Sequence, residues 1–108
     1  MLFTGFTITF LKQFAYGIEL TLPLLLSLAL AITLLGQIVG KREGWSSFDS
    51  FYWSFVTATT IGYGDIRPVQ RGSRILAILI GFLGLIMSGI LIAVAVQAAT
   101  LALPKDGR

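Results

Sequence analysis

Cysteine and histidine are both absent from this 108-residue chain. That excludes disulfides, thiol nucleophiles, histidine-based zinc sites and imidazole acid–base chemistry. Charge is sparse as well, with eight Lys and Arg against five Asp and Glu. The resulting net charge of +3 is scattered along the chain, so no basic stripe offers a nucleic acid a footing. Two long stretches, residues 20–40 and 75–104, carry no charged side chain at all.

What fills those stretches is apolar, and hydrophobic residues make up 56% of the whole chain. At about 1.5 Å per helical residue, the first stretch reaches about 30 Å and just crosses a hydrocarbon core. The second is longer and can cross while tilted. A chain of one-domain length has no further layers in which to bury two such helices. An integral membrane protein is expected. The first stretch exceeds the apolar core of a signal peptide, about 7–15 residues, and Gln37-Ile38-Val39-Gly40 is a poor cleavage site. It is read as retained.

The chain divides without repeats or low-complexity tracts. In residues 1–17, Phe3, Phe6, Phe10 and Phe14 fall at helical spacing beside Lys12. They read as an N-terminal interfacial segment or as an extension of the first span. Residues 18–39 form the outer helix, with Glu19 at its start and Pro23 in its first turns. Gly36 and Gly40 make a small-xxx-small packing face, and the polar turn Lys41-Arg42-Glu43-Gly44 ends the helix. Ser46 and Ser47 offer N-caps to a short aromatic helix over 48–59. Twelve residues measure about 18 Å, half a membrane, so this helix must re-enter and be surrounded by protein. A monomer cannot bury it. The inner helix runs over 74–103, and 104–108 form a charged tail. The fold class is an all-α membrane protein of two transmembrane helices and a re-entrant helix, assembled from several copies.

Between the short helix and the inner helix stands Thr59-Thr60-Ile61-Gly62-Tyr63-Gly64-Asp65. Gly62 and Gly64 can take left-handed backbone angles, so a left/right alternation can turn successive carbonyls to one side. Four such strands about one axis would stack rings of oxygens that replace the water around a cation.

With its two spans and aromatic re-entrant helix, this motif resembles the two-transmembrane bacterial potassium channel pores, the KcsA-like and MthK-like class, over roughly residues 18–103. The resemblance implies a homotetramer in the lipid bilayer that conducts K⁺ passively, with residues 60–64 as selectivity filter. Carbonyls of Thr60, Ile61, Gly62 and Tyr63, with the Thr60 hydroxyl, would hold the ions, and Gly64 would shape the outer end. The helix ending near Thr59 would aim its partial negative charge at a central cavity. Tyr63 would turn outward against aromatics of the pore helices. Trp53 would hydrogen-bond Asp65, and otherwise reads as an interfacial anchor. Leu85, Ser88, Ile92 and Val96 share one helical face, which the resemblance turns toward the cavity. Gly84 matches the family's hinge glycine; Gly81 and Gly89 suit close packing. Gate closure would narrow an apolar ring near Val96 to Thr100.

The chain departs from the KcsA pattern twice. Val56 stands where that channel has a glutamate paired with the filter aspartate. Arg67 stands just outside the filter, in place of an aromatic. The resemblance also implies residence in the cell's inner (plasma) membrane with both termini cytoplasmic. That leaves Lys12, Lys105 and Arg108 inside against Lys41, Arg42, Arg67, Arg71 and Arg74 outside, three against five. Positive-inside counting prefers the reverse, but the polarity of the filter outweighs so small a bias. Gating comes from the membrane, from pH or from a cytoplasmic regulatory domain or subunit, or else the chain is the pore of a longer protein.

Three rivals fail or fall behind. Gly62-Tyr63-Gly64-Asp65 fits the GxGD motif of intramembrane proteases, but neither apolar span supplies the second carboxylate. A non-conducting pair of spans needs no aromatics and glycines in this register. A weakly selective cation channel of the same architecture is the nearest alternative, and Tyr63 speaks against it.

A ring of Arg67 guanidinium groups repels organic cations approaching from outside, partly offset by Asp65. External tetraethylammonium is therefore expected to block flux weakly, and sub-millimolar block would contradict this.

Overall fold

The structure is a computed structural model that describes residues 2–104. The expected tail charges Lys105 and Arg108, and Asp106, lie outside the described residues. Three helices follow in order: α1 (Leu2–Glu43), α2 (Ser47–Ala58) and α3 (Arg71–Ala102). No strand occurs among the described residues.

Of the two readings of residues 1–17, the first helix takes the second, an extension of the first span. It is continuous for 42 residues, with Gly17 and Pro23 inside it. Pro23 therefore lies mid-helix and not in a first turn, where a proline costs about 3 kcal/mol in water. Apolar neighbours on every side favour the helix regardless, because backbone groups in lipid have no other partners. Nearby, the Thr21 hydroxyl donates back to the Gly17 carbonyl at 2.8 Å. The helix ends at Gly44, whose φ of +80° is open to glycine. Trp45 N–H then reaches back to the Gly40 carbonyl at 2.9 Å, closing a Schellman turn.

α2 starts where the cap chemistry requires. Ser46 is extended, with φ −69° and ψ 163°, and its hydroxyl accepts the Asp49 N–H at 3.1 Å. Asp49 also sits in the first turn, where a carboxylate complements the helix dipole.

α1 and α3 are long and apolar enough to cross a membrane, with mean hydropathy 2.2 and 2.8 in their most apolar stretches. Only 22% and 17% of those stretches are buried, unlike the core helix of a soluble protein. They face outward as lipid-exposed helices do.

The described chain forms two compact units. One joins α1 up to Leu25 with α3 from Gly89 onward. Within it Gly17 meets Val94, whose Cγ1 would stand 2.6 Å from a Cβ at that glycine. Phe6, Phe10 and Phe14 stack ring on ring at 6.1 and 5.8 Å along the helix.

The other unit, Leu26–Ser88, holds α2 and the motif. Its fully buried side chains include Ile32, Val39 and Ile80, together with Ser50 and Ser54 of α2. Those serines explain Gly36 and Gly40. A Cβ at Gly36 would lie 2.5 Å from Ser54 Cβ, and one at Gly40 would overlap the Ser50 hydroxyl. The serines satisfy themselves on their own helix, Ser50 Oγ to the Ser46 carbonyl at 2.8 Å and Ser54 Oγ to the Phe51 carbonyl at 2.8 Å. They therefore pack on bare glycine backbone as small, polar-satisfied knobs. Gln37 Nε2 adds a bond to the Ser47 carbonyl at 3.1 Å.

Overpacking at such a contact costs about 1–3 kcal/mol. G40A should lower thermal stability of the protein in detergent, and S50A should restore part of the loss in the double variant. Equal melting of G40A and the parent would show that α2 is not seated on this face.

Candidate functional site

The backbone after α2 does not continue the helix, and its hydrogen bonds show where it turns. Thr59 N–H still bonds the Phe55 carbonyl at 2.9 Å, and Thr60 N–H reaches Thr57 at 3.1 Å. Ile61 and Gly62 then donate to one oxygen, the Val56 carbonyl, at 3.0 and 3.2 Å. In a trans peptide the C=O points opposite to the N–H of the same plane, and no peptide here is cis. Two amides aimed at one acceptor therefore turn the Thr60 and Ile61 carbonyls together to the opposite side. Neither carbonyl accepts a backbone hydrogen bond from the described residues.

The dihedral angles agree. φ is positive at Thr60 (66°), Gly62 (58°) and Gly64 (83°), and negative at the residues between. The sequence assigns the alternation to the two glycines; the structure extends it to Thr60. A β-branched residue there is strained by about 1–3 kcal/mol. Its hydroxyl donates to the Thr59 carbonyl at 2.5 Å. The whole stretch 59–65 is exposed in the single chain, including the side chains of Ile61 and Tyr63. Tyr63 has no ring partner among the described residues.

The expected Trp53–Asp65 hydrogen bond is corrected. Asp65 Oδ2 accepts from the Tyr52 hydroxyl at 3.0 Å. Trp53 is buried at 5% exposure and stands edge-on to Trp45, ring centroids 5.2 Å apart. It is a packing residue in this unit and not an exposed anchor. A signal for Tyr52 was present: it lies one turn before Val56, on the same face, whereas Trp53 is turned by about 100°. Val56 contributes its carbonyl, as acceptor of the Ile61 and Gly62 amides.

Beyond Asp65 the chain is clamped to the end of α1. Glu43 spreads its carboxylate over two successive amides, Oε1 on Val69 N–H at 3.0 Å and Oε2 on Gln70 N–H at 3.1 Å. Gln70 Nε2 returns a bond to the Arg42 carbonyl at 2.6 Å. The Arg42 guanidinium lies against Gly72, where a Cβ would collide with it. Arg74 Nε donates to the Pro68 carbonyl at 3.2 Å. Sequence reasoning missed this clamp because its partners are 26 and 27 residues apart and one side is plain backbone. Arg67 is exposed at this end.

On α3, Leu85 is exposed and Ser88 half-buried in the unit that holds the motif. Ile92 and Val96, in the other unit, are exposed. α3 runs unbroken through Gly84, which is buried against the backbone of Ala58. Gly81 and Gly89, expected to serve close packing, have nothing within 4 Å of a would-be Cβ. The close approach belongs to Gly84 instead.

Comparison with known proteins agrees with this layout. A family model described as ion channel matches residues 20–100, well over half of the chain. The TWiK family of potassium channels protein 7 of Caenorhabditis elegans is 43% identical over 70 residues, covering 62% of this chain and 13% of that protein. Potassium voltage-gated channel subfamily A member 5 of Homo sapiens is 40% identical over 49 residues, 45% of this chain and 8% of its own length. The human subfamily A member 4 is 38% identical over the same shares. The chain thus spans only a small fraction of these relatives, all of them animal proteins, so a bacterial origin gains no support from them. No solved structure matches the chain.

If the Glu43 carboxylate holds the segment after the motif, its removal should free the two amides it covers. Hydrogen exchange at Val69 and Gln70 should accelerate strongly in E43A. It should accelerate less in E43Q, which keeps one acceptor oxygen. Unchanged exchange in E43A would refute the clamp.

Proposed function

Because this chain belongs to the ion-channel family, we propose that it forms a potassium-selective pore. The chain is a membrane transport protein and not an enzyme. Four copies arrange the stretch 60–64 about one axis, and K⁺ passes as cargo from ring to ring of Thr60, Ile61, Gly62 and Tyr63 carbonyls. The observation that carries this reading is the shared Val56 acceptor. It turns two successive carbonyls to the same side, which is what a stack of oxygen rings requires. Alternating positive φ at Thr60, Gly62 and Gly64 supports it over the full stretch.

The exposure of 59–65 in one chain supports the assembly. Half-membrane backbone without partners costs several kcal/mol per unsatisfied group, and only protein or a bound ion can meet them. A homotetramer supplies both. Tyr63 then packs on a neighbouring copy, since no described residue of its own chain offers it a ring. α2 points its C-terminal end, equivalent to about half a negative charge, toward the ion path. Leu85, Ser88, Ile92 and Val96 line the cavity and gate of the inner helix, and Gly84 is where that helix would bend.

The pore lies in the plasma (inner) membrane, with both termini cytoplasmic and the Glu43 clamp, Asp65 and Arg67 at the outer mouth. A cytoplasmic regulatory domain or subunit would act through the inner helix.

Potassium flux from the purified chain in liposomes, blocked by barium, is the direct test. Reversal potentials under opposed potassium and sodium gradients should favour potassium strongly. A permeability ratio near one would replace this reading with a weakly selective cation channel of the same fold.

A further inference from the structure

Of the three glycines in the middle of α3, one is in an unusual position. A Cβ at Gly84 would run into the carbonyl oxygen of Ala58 and stand 2.5 and 2.6 Å from its Cα and carbonyl carbon. These are backbone atoms and cannot swing aside as a side-chain tip can. Gly81 and Gly89 meet nothing within 4 Å. Ala58 is the last residue of α2 and is fully buried. Its carbonyl accepts no protein hydrogen bond among the described residues, because the Gly62 N–H that helical continuation would bring to it goes to Val56. What faces this oxygen is the bare Cα of Gly84, in the manner of a weak C–H···O contact between helices.

We propose that Gly84 is a positioning residue for ion selection: it seats the end of α2 on α3 and so fixes where the Thr60 and Ile61 carbonyls stand. The linkage is short. Ala58 precedes Thr60 by two residues, and Val56, which holds the Ile61 and Gly62 amides, precedes Ala58 by two. A displacement of the Ala58 backbone therefore carries the acceptor and the carbonyls with it. Ion selection depends on the number and placement of those oxygens. A glycine serving only as a flexible joint would leave them undisturbed. The proposal rests on the reading of 60–64 as the filter.

The experiment compares the parent chain with G84A, G81A and G89A in liposomes, measuring K⁺/Na⁺ permeability ratios and open probability. G84A should lower the ratio by about tenfold or more, equivalent to about 1.4 kcal/mol of lost discrimination. G81A and G89A should keep the parental ratio. A G84A channel with parental selectivity and altered open probability alone would overturn the proposal in favour of a bending role. A parent without selectivity would instead reject the filter reading itself, so the two failures are distinguishable. Should G84A not assemble alone, differently tagged parent and variant chains can be co-expressed and tetramers with one variant subunit isolated. One copy should still lower the ratio measurably, and a parental ratio there would equally overturn the proposal.

Discussion

The Val56 carbonyl accepts two amides, from Ile61 at 3.0 Å and Gly62 at 3.2 Å, and the motif's geometry depends on that sharing. A helix carbonyl normally serves one donor four residues on. Here the donors come from five and six residues on, so the chain is drawn back under the helix end and not allowed to leave it. The arrangement requires a left-handed residue just after α2, and Thr60 takes that conformation against its own preference. Two hydrogen bonds contribute about 1 kcal/mol each, against about 1–3 kcal/mol of strain at Thr60. The balance is near zero. In the single chain the motif holds its shape without surplus stability, which suits a structure completed by other copies and by a cargo ion.

The elements around it keep the Val56 carbonyl in place. Ser50 and Ser54 seat α2 on Gly40 and Gly36 of α1 from one side, and Gly84 of α3 receives its last residue. Tyr52 reaches across to Asp65, and Glu43 holds the amides of Val69 and Gln70. Apart from the Tyr52–Asp65 bond, which joins two side chains, each contact is between a small residue and backbone or between a polar group and backbone. Ile32, Val39, Ile80 and Trp53 are buried in the same unit, while many other large apolar side chains face outward.

The sequence showed the parts whose signals are local. Charge-free runs marked the two spans, Ser46 and Ser47 together marked the start of α2, and the glycine spacing marked the motif. Glycines 36 and 40 announced a packing face, although not that serines of α2 would occupy it. Other features were hidden for physical reasons. The partner of Asp65 was misplaced by one residue, and the helical face shared with Val56 points to Tyr52 instead. Nothing in a threonine suggests a positive φ, since its branch disfavours one; only the hydrogen bonds that follow it require the angle. The Glu43 clamp joins a side chain to backbone across the whole intervening helix and motif, a distance at which sequence spacing is silent. The continuity of α1 through Gly17 and Pro23 was obscured because both residues break helices in water, whereas an apolar surrounding enforces the helix.

Exposure has two meanings in such a chain, and only one of them argues for assembly. Leu26, Leu30, Leu34 and Ile38 recur one turn apart and are all exposed, yet lipid is as apolar as they are and covers them without gain or loss. An outward leucine on a spanning helix therefore says nothing about partners. The backbone from Thr60 to Gly64 is exposed too, and there lipid is no substitute, because hydrocarbon offers its carbonyls no donor and no cation. α2, at twelve residues, carries that backbone only about half-way across a bilayer. Polar backbone at such depth must be enclosed by protein and face water or an ion. The pressure toward assembly thus comes from five residues of polar main chain and not from the large apolar surface, which is why the geometry of those five carries the functional reading.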